Sequence, residues 1–112
     1  MRLAATYGQT WVTNGDRKQD AALSAEKGAK VVGEQMARLD QVCADVDRDP
    51  SSLRRLVLAG SRLDSGLASV EAFRHTAGCY AETGVTDFVV HWPRLHEPYA
   101  ADLSTFERIF SA

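Results

Sequence analysis

The side chains best suited to chemistry in this sequence follow two apolar runs. Thr10-Trp11-Val12-Thr13 leads into Asn14-Gly15, and Phe88-Val89-Val90 leads into His91-Trp92-Pro93-Arg94. An imidazole changes charge near neutral pH and can donate to or accept from a ligand oxygen. A guanidinium such as that of Arg94 grips an anionic group through two parallel hydrogen bonds. Trp11 and Trp92 offer apolar walls for a planar ring, and Thr13 and Asn14 set short polar groups beside one of them. Every one of these residues also has an ordinary role. Aromatics carry much of core and interface packing, and a histidine at a strand end commonly satisfies a backbone group. His75, inside a helical pattern, and His96, beside Glu97, are expected on solvated surface. Trp11, Thr13, Asn14, His91, Trp92 and Arg94 are the residues to weigh for contact with a ligand, with no catalytic residue assigned.

Several other chemistries lack an anchor. The sequence contains no Ser/His/Asp order, HExxH, Walker-type loop or GxGxxG, so hydrolase, zinc-protease and phosphate-loop readings have no support. Cys43 and Cys79 form no CxxC pair. With no histidine read at ligand spacing from them, neither a disulfide framework nor a zinc site is expected. A net charge of -2, a pI near 5.9 and the absence of a Lys/Arg block provide no field for nucleic acid or anionic lipid. The opening MRLAATYG lacks a long apolar stretch, and no apolar run is long enough to span a bilayer. A soluble, cytoplasmic protein with free thiols is the expectation.

The elements that must position the candidate residues are legible in the pattern. The chain has 112 residues, 45% hydrophobic and 25% charged, which suits one ordinary globular domain. Residues 2–7 read as the tail of a helix closed by a left-handed Gly8, and Thr10–Thr13 as a buried strand stopped at Asn14-Gly15. Between Ser24 and Val46 the apolar residues Val32, Met36, Leu39, Cys43 and Val46 recur at spacings of four, three, four and three, the stripe of an amphipathic helix. Pro50 ends that segment, and Leu56–Ala59 is a short strand before Gly60-Ser61. Ser69 caps a further helix whose inner face is Phe73, Ala77, Tyr80 and Ala81, stopping at Gly84. Val85–Trp92 reads as a strand covered on both faces. Pro98 opens a last helix faced by Tyr99, Leu103, Phe106 and Phe110.

Strands alternating with helices in this way imply parallel βα units. Three parallel strands cannot close on themselves, so sheet edges and one apolar face need cover. A homo-oligomer, most simply a two-fold dimer, is the expected consequence.

The segments LAATYGQTWVT, EQMARLDQVC with DRDPSSL, and YAETGVTDFVVHWPR resemble successive stretches of the luciferase-like monooxygenases, over nearly the whole chain. Gly8-Gln9-Thr10-Trp11 stands where that family has an Ala-Asp-Gly-Trp type of strand. Asp47-Arg48-Asp49-Pro50 stands at its Gly-Arg-Asp-Pro turn, and Gly84-Val85-Thr86-Asp87-Phe88 at its last barrel strand. Gln9, Thr10 and Asp47 depart from the pattern, the last tolerably because Asp visits left-handed backbone more readily than most residues.

The resemblance implies an α/β fold, a partial (β/α)₈ TIM barrel of about three parallel strands, in which sites lie at the C-terminal strand ends, and so selects Trp11, Thr13, Asn14, His91, Trp92 and Arg94 as cofactor-binding or substrate-lining residues. It implies the C-terminal part of an oxidoreductase or monooxygenase that uses FMN or a deazaflavin on a small organic substrate. A barrel of this kind needs about 250 residues, so the missing N-terminal part of the barrel is a candidate partner. The alternative is a non-catalytic half-barrel serving dimerisation or partner binding.

Overall fold

A computed structural model describes residues 1–15, 23–59, 63–92 and 102–110. In chain order these form helix α1 (Arg2–Tyr7), strand β1 (Thr10–Thr13), helix α2 (Ala25–Asp45), a 3-10 turn (Pro50–Ser52), strand β2 (Arg54–Leu58), helix α3 (Val70–Ala81), strand β3 (Asp87–Val89) and helix α4 (Leu103–Phe110). The fold is α/β. Its three strands lie in the order β1-β2-β3, all parallel, with helices between them.

α2 forms where the periodicity places it. The Ser24 side chain accepts from the Lys27 backbone N–H, satisfying one of the orphan donors of the first turn. Val32, Met36, Leu39 and Cys43 are buried as one stripe. α3 starts in the same way, with Ser69 accepting from Ala72 N–H and Glu71 in the positive first turn. Its inner face differs from the expected one. Tyr80 and Thr76 are buried, Phe73 and Ala77 are half-buried, and Ala81 is exposed.

Both crossover helices lie on one face of the sheet. Val32 and Met36 of α2, Val57 of β2, Leu63 and Tyr80 of α3 make one core cluster, with Trp11 and Phe88 packed against it. Ala5, Leu39, Cys43 and Leu53 make a second beneath α1, also touched by Trp11. The period-two alternation of strands sends the neighbours of these residues to the other face. There Val12 is 49% exposed, and Leu56, Leu58 and Val89 are only half-buried. Phe88, Val89 and Val90 were expected to be covered on both faces. All three are half-buried, because the described residues place helices on one side only.

Two turns show the local chemistry that sets the layers. Asp47 adopts φ 59°, the left-handed conformation for which a glycine is the easier residue. The turn it makes aims Arg48 back across the molecule, where its guanidinium donates to the carbonyls of Ala4, Ala5 and Gly8. The Ala4 carbonyl also accepts from the Gly8 backbone N–H, so the guanidinium adds to the backbone cap at the end of α1. Gly8 itself is extended, φ -84° and ψ 165°, and not left-handed as expected. It is needed for space, since a Cβ there would stand 2.9 Å from the Ala4 carbonyl oxygen.

Candidate functional site

Parallel strands aim their C-terminal ends the same way, and the register brings Asn14 and His91 to one rim of the sheet. Thr13 is level with Val57, and Leu58 with Val89. Continued by one residue, Asn14 stands level with Val89, so His91 projects two residues, or roughly 7 Å, further. Two inter-strand spacings, roughly 10 Å, separate the strands that carry them. That gap is the width of a small molecule and too wide for a direct hydrogen bond. Both residues are exposed.

Thr13 has a different task. It is buried on the helix-facing side, where its hydroxyl donates to Gln35 Oε1 at 2.6 Å and accepts from Gly15 N–H at 3.2 Å. Gln35 Nε2 in turn donates to the Gly15 carbonyl at 3.3 Å. This small ring fastens the turn after β1 to the middle of α2, with Gly15 at φ 102°. Thr13 and Gln35 therefore position Asn14. Gln35 escaped the sequence analysis because it lies 22 positions from Thr13 and beside the α2 stripe, with nothing local to single it out.

Trp11 faces the helix layer and packs against both core clusters, away from the rim. Trp92 lies at the rim, 66% exposed, with its ring edge-on to Phe106 of α4 at a centroid distance of 5.1 Å. The Phe106 ring thus supports the indole. Arg94, Pro98, Tyr99 and His96 lie outside the described residues.

The uncovered face of the sheet has a polar base and an apolar middle. At the base, Arg54 Nε donates to Asp87 Oδ2 at 2.9 Å, and its Nη2 donates to Oδ1. Hydrogen bonding by the Arg54 guanidinium holds the Asp87 carboxyl below its ordinary range, and Asp87 likewise raises Arg54. Above this pair run Val12, Leu56, Leu58 and Val89, and then Asn14. On the helix side, Arg55 is buried and donates to Asp40 Oδ1 and the Pro50 carbonyl. Two surface hollows lie elsewhere, one between α1 and Val46 and one at the base around Arg55, Thr83 and Thr86.

Among the described residues no helix is long and apolar enough to cross a membrane. No family model, no curated protein and no solved structure matches the chain.

Proposed function

We propose that this chain is an arc of a (β/α)₈ barrel and that the barrel is a flavin- or deazaflavin-dependent oxidoreductase of the luciferase-like type. The observation that carries the reading is the one-sided sheet. Strands adjacent in sequence are adjacent in space, both crossover helices cover the same face, and the other face presents Val12, Leu56, Leu58 and Val89. A singly wound sheet of this kind is what one sector of a barrel looks like, with the apolar stripe filling the barrel interior. The resemblance of the three sequence segments supplies the cofactor class. The cofactor supplies the redox chemistry when bound, while Asn14, His91 and Trp92 at the rim orient a ring and its substrate.

Titration of the chain with FMN and with a deazaflavin, followed by tryptophan fluorescence, tests this. Saturable quenching is expected, weakened about tenfold or more when Asn14 or His91 is replaced by alanine, the scale of losing one or two polar contacts. Absence of saturable quenching removes flavin binding from this chain.

The same uncovered stripe favours a second reading, a half-barrel that serves association without catalysis. A chain that forms a discrete oligomer and binds neither cofactor belongs to this second class.

A further inference from the structure

Glu26, in the first turn of α2, meets His75 and Cys79, one turn apart on α3. His75 Nε2 lies 2.6 Å from Glu26 Oε1 and 3.7 Å from Cys79 Sγ. No histidine was expected at ligand spacing from a cysteine, but residues four apart on a helix share a face, the same spacing that pairs ligands in helical metal motifs.

We propose that Glu26, His75 and Cys79 form a binding site for a borderline divalent transition metal, zinc or cobalt, that ties α2 to α3. Carboxylate, imidazole and thiolate are a mixed set suited to such ions, with a water completing four-coordination. Ligand atoms of one tetrahedral ion stand roughly 3.3–3.6 Å apart, from metal–ligand bonds of 2.0–2.3 Å. At 3.7 Å the imidazole–sulfur pair stands just beyond that range. Among the described residues no three donors surround a common ion position, and Nε2 and Oε1 stand in hydrogen-bond contact at 2.6 Å. Opening that pair by less than about 1 Å admits the ion. The move is easy, since the His75 and Glu26 side chains are 58% and 67% exposed.

The local charge favours a cation and disfavours the alternative of a free nucleophile. Burial, followed by the carboxylates of Glu26 and Glu82, pushes the Cys79 thiol up, so it is not a ready thiolate. A metal reverses this by bonding the sulfur and displacing its proton to solvent. A proton carried on Nε2 would likewise leave that nitrogen, to solvent or to Nδ1.

Cobalt titration of the whole chain reads the site directly. A thiolate-to-cobalt band in the near-ultraviolet is expected, displaced by zinc, with protons released and the unfolding temperature raised. Cys79→Ser removes the band, and His75→Ala and Glu26→Gln weaken binding at least about tenfold. All three positions are at or near the surface, so circular dichroism shows each variant still folded. A wild-type chain without the band, a band that survives Cys79→Ser and so arises from buried Cys43, or a Glu26→Gln variant that binds as tightly as wild type overturns the proposal.

Discussion

The hydroxyl of Tyr80 lies 2.2 Å from the point at which a Cβ on residue 28 would stand. α3 can approach α2 this closely only because position 28 is glycine, a residue otherwise costly in a helix interior by about 1 kcal/mol. The hydroxyl fits but finds no hydrogen-bond partner among the described residues, although Tyr80 is wholly buried.

Gly28→Ala is therefore expected to destabilise the fold by about 1–2 kcal/mol, overpacking outweighing the gain in helix propensity. Tyr80→Phe, which removes an unsatisfied group, is expected to be neutral or stabilising by up to about 1 kcal/mol. In the double variant the loss from Gly28→Ala shrinks, because the obstructing atom is gone and the remaining neighbours stand at 3.1 Å and 3.3 Å. Urea denaturation of the four proteins measures the coupling. Equal losses from Gly28→Ala in both backgrounds would show that the helices are not held apart by this hydroxyl.

Alkaline pH addresses the same residue. Burial above all, with the Asp64 carboxylate and then Cys79 adding to it, pushes the Tyr80 phenol up to about 12, against an ordinary value of about 10. The folded state therefore keeps a proton that the unfolded chain gives up. This contribution to stability is fully present below about pH 10 and is lost as pH rises towards about 12. Denaturation midpoints should fall across that window for the wild type and fall less for Tyr80→Phe. Phenolate absorbance should show one tyrosine ionising only as the protein unfolds. Early titration of every tyrosine would contradict the burial of Tyr80.

The uncovered sheet face leads to association. Val12, Leu56, Leu58 and Val89 form an apolar stripe with no cover among the described residues, and contiguous stripes of this kind mark interfaces. Sedimentation of the purified chain should show a discrete oligomer, and the double substitution Val12→Lys with Leu58→Lys should shift it to monomer without loss of helical signal. A wild-type chain that stays monomeric at micromolar concentration defeats this expectation.

Much of the architecture was legible locally, because helix periodicity, caps and turn chemistry act over a few residues. The α2 stripe from Val32 to Cys43, the Ser24 and Ser69 caps, the strand Thr10–Thr13 and the alternation that produces a parallel sheet all follow from such short-range rules. Left-handed backbone at Asp47 was anticipated only through the resemblance, which places a turn glycine there.

Which way each strand faces was not legible. Alternation says that Trp11 and Thr13 oppose Val12 and Asn14, but only the docking of α2 and α3 decides that Trp11 enters the core and Val12 is left bare. The bonds of Arg48 to the end of α1, the Thr13–Gln35 ring, and the meeting of Glu26 with His75 across 49 positions depend on the same docking. A side chain carries no signal in the sequence for a partner so distant. The sequence alone determined the elements and their order, and the packing of two helices on one face of the sheet determined which chemical groups meet.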